Sequence, residues 1–384
     1  MKKQMKKLSN QFSLALCFVM LMGNISVLAS SEGLPIETAD TTMQEAEPVN
    51  YGDEVAPISE ISNWNYTLNE EDTTITLDQY IGSSTDIIVY GRYEINGITY
   101  ATILNGDYIL TETPFYSIRR SVRSITIKPG VKSYNCANLF YRCEKLTSLD
   151  LNSFDTSDVT DMSGMFAVCM DLVSLDLSSF DTSNVTDMYA MFSACHDLTS
   201  LDLSSFDTSN VTDISYMFNG CNSLTSLDLS SFDTSNVMTM KNMFYRCSKL
   251  TSLDLSSFDT SSVTDMYDMF SGCSSLTSLD LSSFDTSNVI DMAYMFAGCN
   301  SLTSLALTSF DTSNVSYMES MFSGCKSLIS LDLTSFDTSS VSHMFRMFYN
   351  CSDLVTIYVS RNWDTTSADT TEMFTNCSAS LITL

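Results

Sequence analysis

Cysteines stand at positions 143, 169, 195, 221, 247, 273, 299, 325, 351 and 377, and every interval is 26 residues. A fixed period in the twenties is the mark of a solenoid, in which each unit buries its apolar side only against its neighbours. The unit is easily read. Leu198-Thr199-Ser200-Leu201-Asp202-Leu203 has the L-x-x-L-x-L spacing of leucine-rich repeats, and the same hexapeptide returns at 224, 250 and 276. A phenylalanine follows three residues later in each copy, from Phe154 through Phe180 and Phe206 to Phe336.

Within the unit, Leu201 and Leu203 alternate with Ser200, Asp202 and Ser204. That is the pattern of a short strand with leucines inward and polar residues outward. Asp207-Thr208-Ser209 predicts a turn, and Asn210 suits a helix N-cap, as do its equivalents from Asp158 to Ser340. Asp213, with Asp161, Asp187, Asp265 and Asp291, would complement a helix N-terminus. Val211, Ile214, Met217, Phe218 and Cys221 fall at the spacing of one helix face, and Gly220, Gly272, Gly298 and Gly324 suit its left-handed stop. The expected fold is an α/β repeat: a leucine-rich repeat solenoid of about ten units, with a parallel strand and a short helix in each.

The flanks divide the chain further. Lys2, Lys3, Lys6 and Lys7 precede the apolar stretch Phe12–Met22, and Val27-Leu28-Ala29 offers a signal-peptidase site with Ser30 as the new terminus. Residues 1–29 are thus expected to be a signal peptide. Residues 30–62, with eight acidic and no basic side chains, predict a disordered spacer. Residues 63–119 contain Thr74-Ile75-Thr76-Leu77 and Ile87-Ile88-Val89-Tyr90, which predict a β-rich N-terminal cap; the solenoid takes residues 120–384. The apolar core of the leader is too short for a membrane span, and no second such stretch follows.

The reiterated block Leu201-Asp202-Leu203-Ser204-Ser205-Phe206-Asp207-Thr208-Ser209-Asn210-Val211-Thr212, followed by Met217-Phe218 and Cys221, resembles the BspA-like leucine-rich repeat proteins, a family of bacterial surface and secreted proteins. The resemblance spans about residues 120–384. It implies a solenoid used in adhesion and in contact with host or cell-surface proteins, and it brings no catalytic residue or cofactor with it. No surface anchor is visible in this sequence.

Charge and chemistry point the same way. With 46 acidic against 18 basic residues and a net charge of −28, a basic face for nucleic acid is excluded. Two histidines, His196 and His343, lie at non-equivalent repeat positions, so no catalytic set and no metal site is expected. The cysteine ladder reads as buried thiols beside the Met-Phe core, with neighbour disulfides or zinc as alternatives. Asp150, Asp176, Asp202, Asp228, Asp254, Asp280 and Asp332 should form one row on the concave face, broken at Ala306, and this row is the candidate binding face. A second row, Asp155 to Asp337, precedes Thr-Ser and reads as local turn capping. The functional expectation is a secreted or surface-associated, non-enzymatic scaffold for extracellular or host proteins. The alternative is a structural solenoid that binds calcium or ice through its Asp-Thr-Ser array. Ser380-Leu381-Ile382-Thr383-Leu384 begins another strand, and such an edge invites weak self-association.

Overall fold

The computed structural model describes residues 54–384. The expected leader with its Ala29/Ser30 cleavage site, and most of the acidic spacer, lie outside the described residues. Among the described residues no helix is long and apolar enough to cross a membrane.

The N-terminal part is β-rich. Strands β1 (Trp64–Asn69), β2 (Thr74–Tyr80), β3 (Asp86–Val89), β4 (Arg92–Ile95) and β5 (Ile98–Ile103) follow one another, and four of them form a sheet in the order β1-β2-β5-β4. β3 stands apart from that sheet. It pairs in parallel with β6 (Ser124–Ile127), which pairs in turn with β7 (Ser148–Asp150). The parallel ladder therefore begins at β3, within the segment expected to be cap.

From there the chain winds as a parallel solenoid of 26-residue turns. At the far end β8 (Ser278–Asp280) pairs with β9 (Ser304–Ala306), while β10 (Ser330–Leu333), β11 (Thr356–Val359) and β12 (Ser380–Thr383) form one parallel sheet. Each pairing shifts the register by a single repeat, as Leu279 opposite Leu305 illustrates. Between these groups the Ser-Leu-Asp segments keep their alternation of buried leucine and exposed serine and aspartate without a complete ladder. A second line of parallel bridges runs unbroken from Asp161 through Asp187, Asp213, Thr239, Asp265, Asp291, Tyr317 and His343 to Asp369.

The expected short helix is absent: among the described residues there is no α-helix at all. The segment after each Val-x-Asp is instead a run of tight turns. Met191 N–H bonds Met188 C=O, Ser193 bonds Ala190 and Cys195 bonds Phe192, all three residues back. The N–H groups in between point along the solenoid axis: Met188, Ala190, Phe192 and Ala194 donate to the carbonyls of Asp213, Ser215, Met217 and Asn219 in the next turn, at 2.6–3.0 Å. Such a segment is too short for a helix stable on its own, whereas stacking gives every second amide a partner in each copy. Successive three-residue turns bring side chains inward at the same three-and-four spacing as a helix, which is why the apolar pattern is common to both.

Two positions per turn have left-handed backbone. One column holds Arg142, Val168 (φ 65°), Ala194, Gly220, Arg246, Gly272, Gly298, Gly324, Asn350 and Asn376, so the glycines anticipated as helix stops do meet a left-handed requirement, though inside a turn. The other column, four residues earlier, holds Gly164, Ala190, Tyr216, Asn242, Asp268, Tyr294, Ser320 and Arg346. A bulky residue there is disfavoured by about 1–2 kcal/mol relative to glycine.

The expected N-cap asparagines also serve the stack. Asn184, Asn210, Asn236, Asn288 and Asn314 donate Nδ2–H to a serine carbonyl of the preceding turn at 2.8–2.9 Å. The aspartates expected at a helix N-terminus close local turns instead, as in Asp213, whose Oδ1 accepts the Ser215 N–H at 2.8 Å.

The core is as the sequence implies. All three leucine columns, both phenylalanine columns, the methionines and the cysteines are buried in nearly every turn. The Met-Phe phenylalanines stack ring on ring from Phe140 to Phe374, at 5.6–5.8 Å between Phe166 and Phe348. Phe115 and Trp64 continue that column into the β-rich end. Each buried ring is worth about 1.5–3 kcal/mol through its apolar area.

Candidate functional site

Two faces of the solenoid carry side chains that the core does not use. The first is the strand face. Asp150, Asp176, Asp202, Asp228, Asp254, Asp280 and Asp332 all lie on it, exposed and one turn apart, with Ala306 interrupting the row. Each carboxylate is engaged locally. Oδ1 accepts the backbone N–H two residues on, at 3.0 Å for Asp202 and Ser204 and 2.9 Å for Asp228 and Ser230. These bonds hold Asp176, Asp202, Asp228, Asp254 and Asp280 below the usual carboxylate range, against the repulsion of their neighbours.

The second aspartate row behaves in the same way. Asp207 Oδ1 accepts both the N–H and the hydroxyl of Ser209, at 3.0 and 2.6 Å. Its threonine neighbour is not a surface group. Thr208 is 2% exposed, donates to Asp233 C=O at 2.9 Å and accepts Asp233 N–H at 2.8 Å. The Asp-Thr-Ser array is thus stitching between turns, and its threonines cannot present an ordered hydroxyl lattice to ice. Among the described residues no cluster of three metal-ligating side chains occurs.

The cysteines among the described residues are unbridged. In each turn from Cys169 to Cys351, Sγ lies 3.0–3.2 Å from the carbonyl of the phenylalanine one turn back, as in Cys247 and Phe218. Burial pushes the thiols of Cys195 and Cys299 up to about 12. His343 stacks on Tyr317 at 5.1 Å, and Ser342 Oγ lies 2.8 Å from its Nδ1. Burial lowers the His196 imidazole, and the two histidines stand at non-equivalent positions of different repeats.

The second face lies over the tight turns, and sequence reasoning passed it over. Tyr267 packs 5.7 Å from Tyr294, and the Lys241 ammonium sits 4.7 Å from the Tyr267 ring centre. Asp268, between them, bonds Ser271, Tyr267 and Asn242, and burial raises its carboxyl to about 6. Asp291 is raised to about 6 by burial and by Asp265 and Glu319. Asn242 is 5% exposed and its Oδ1 has no partner; Glu319 Oε2 also lacks one. A signal for this face exists in the sequence. Its leading dipeptide changes in every copy: Ser163-Gly164, Tyr189-Ala190, Ser215-Tyr216, Lys241-Asn242, Tyr267-Asp268, Ala293-Tyr294, Glu319-Ser320, Phe345-Arg346 and Thr371-Glu372. The strand face reads Ser-Leu-Asp almost throughout.

These features define a leucine-rich β-solenoid, a repeat scaffold whose inner columns and strand face are constant and whose turn face is not. The chain belongs to the family described as "Mycoplasma protein of unknown function, DUF285", whose model matches residues 134–227, 220–307 and 280–382. Its repeats are of the leucine-rich, BspA-like kind. No curated protein matches the sequence. Similar solved structures include a leucine-rich cell surface protein of Faecalibacterium prausnitzii (17% identity, 90% of this chain and 94% of that one, TM-score 0.43). Others are a leucine-rich repeat protein of T. pallidum (18%, 58% and 91%, 0.41) and one of Bacteroides ovatus (17%, 83% and 98%, 0.38).

Proposed function

We propose that this protein is an exported, non-enzymatic scaffold that binds proteins outside the cell, in adhesion or in contact with a host or neighbouring cell surface. The observation that carries this reading is the division of labour within each turn. Leu, Met, Phe, Cys, Thr and Asn columns meet the needs of core and stacking, so the remaining surface columns are not required for either. A long, rigid, solvent-facing surface of this type suits recognition of a macromolecule.

The test is saturable binding of the protein lacking residues 1–29 to purified extracellular-matrix and cell-surface proteins, measured by surface plasmon resonance. Saturable binding to a defined partner is the expected result. Absence of binding across the panel, together with turnover of any substrate, would overturn the reading. Self-association through the edge of β12, where Leu381 and Ile382 are exposed, belongs to the same proposal. Light scattering should then give a mass that rises with concentration, and a strict monomer would refute it.

A further inference from the structure

Every copy needs left-handed backbone at the position of Asn242, and four copies of the neighbouring column meet the same need with glycine. The variable column has glycine once, at Gly164. It carries Tyr216, Tyr294, Ser320 and Arg346 at φ 54–61°, against their conformational preference. Side chains retained at a strained position, and different in each copy, are there for something other than the fold.

Around Tyr267 these side chains form a defined patch. Two half-buried tyrosine rings lie together, with Asp268 between Asn242 and Ser271, and Asp291 and Glu319 close by. The Asn242 Oδ1 is an unused acceptor in a nine-tenths buried side chain whose amide engages Asp268. The charged and titratable groups facing the two aspartates are Lys241, Tyr216, Tyr245, Tyr267, Tyr294, Asp265 and Glu319; Lys241 is the cation among them, while Arg246 acts on Tyr245 and Arg346 on Tyr294. Carboxylates, aromatic faces and a spare carbonyl-type acceptor together are the chemistry that holds a guanidinium or ammonium group.

We propose that the turn face around Tyr267, Asp268, Asp291 and Tyr294, rather than the aspartate row of the strands, is the recognition surface, and that its partner is a protein segment presenting arginine or lysine. This rests on the protein-binding reading above and names its surface and partner chemistry. The strand-row carboxylates are open to solvent and held below the usual range, whereas Asp268 and Asp291 are part-buried, with Asp265 and Glu319 beside Asp291, so an incoming cation would relieve their charge more.

The probe is a short peptide with arginine at alternate positions, with citrulline replacing arginine in the control, titrated calorimetrically into the full chain at low salt. Asp268→Asn/Asp291→Asn and Tyr267→Leu/Tyr294→Leu are compared with Asp202→Asn/Asp228→Asn/Asp254→Asn. The asparagine pair removes charge from a crowded site, so its thermal midpoint should equal or exceed the parent's, which keeps the binding result interpretable. Each turn-face pair should weaken the arginine peptide by about tenfold or more, the strand-row triple by less than about twofold, and citrulline should not bind. Binding should also weaken as pH falls from about 7.5 to 5, where the two aspartates take up protons. Loss confined to the strand-row triple would overturn the assignment of the face and leave the scaffold reading intact. Equal binding of citrulline, or no binding of the arginine peptide by a chain that binds a purified partner, would overturn the partner chemistry alone.

Discussion

Thr208→Val tests whether the buried threonines hold the turns together. Valine has nearly the same shape, so the core keeps its packing and only the hydroxyl goes. That hydroxyl makes two bonds with the next turn, to Asp233 C=O at 2.9 Å and from Asp233 N–H at 2.8 Å. Thr208 itself is closed to water, but Asp233 is exposed, so its orphaned groups can partly recruit solvent. Each lost bond then costs about 1–1.5 kcal/mol rather than the full penalty of a buried orphan, and the substitution should cost about 2–3 kcal/mol. Thr208→Ser keeps both bonds and loses one methyl, about 0.8 kcal/mol. Urea unfolding followed by tryptophan fluorescence reports both ends of the stack, because Trp64 is buried at one end and Trp363 lies in the last turn. If valine is no worse than serine, the threonine ladder is not a stabilising device.

Other measurements probe other columns. Gly298→Ala places a Cβ 3.6 Å from Gly272 Cα, an ordinary contact, so its cost of about 1 kcal/mol should come only from φ +72°; an unchanged urea midpoint would contradict this. Native protein at about pH 8 should leave Cys195 and Cys299 unlabelled by a thiol reagent, while denatured protein labels all eleven cysteines of residues 54–384; mass spectrometry counts them, and a shortfall would reveal disulfides. Asp268 and Asp291 have folded values near 6, above the unfolded value of about 3.9, so the stability tied to their protonation is present at acid pH and lost as pH rises through 6. The lowered strand-row aspartates act in the opposite sense, their contribution falling away below about pH 4. The urea midpoint should therefore peak between about pH 4 and 6; a maximum above pH 7 would refute the assignment.

The repeat, its core and its parallel stacking were legible because Leu203, Met191 and Phe192 recur at one period and mean the same thing in every copy. The helix was misread for a reason that applies to any short apolar run. Val211, Ile214, Met217 and Phe218 point inward from tight turns at the spacing a helix would give, and only the destination of the N–H groups separates the two. Asn210 shows the same ambiguity: an asparagine before an apolar run can cap a helix, and here it reaches back to Ser183. The aspartate rows drew attention by their regularity. Their local bonds explain that regularity without a ligand, whereas the irregular pairs such as Lys241-Asn242 and Tyr267-Asp268 read as noise until the structure placed them on one face.

The ring column from Phe140 to Phe374 has a consequence for how such a chain can change over generations. Every ring meets nearly the same neighbour above and below, and each threonine of the Asp-Thr-Ser column meets the same backbone carbonyl one turn away. Excising or duplicating one whole unit therefore rejoins core and stacking surfaces that already fit, and only the turn-face contacts at the new junction are new. Unequal crossing-over between near-identical coding segments would lengthen or shorten the protein in steps of 26 residues, adding or removing a complete stripe of turn-face side chains while leaving both ends untouched.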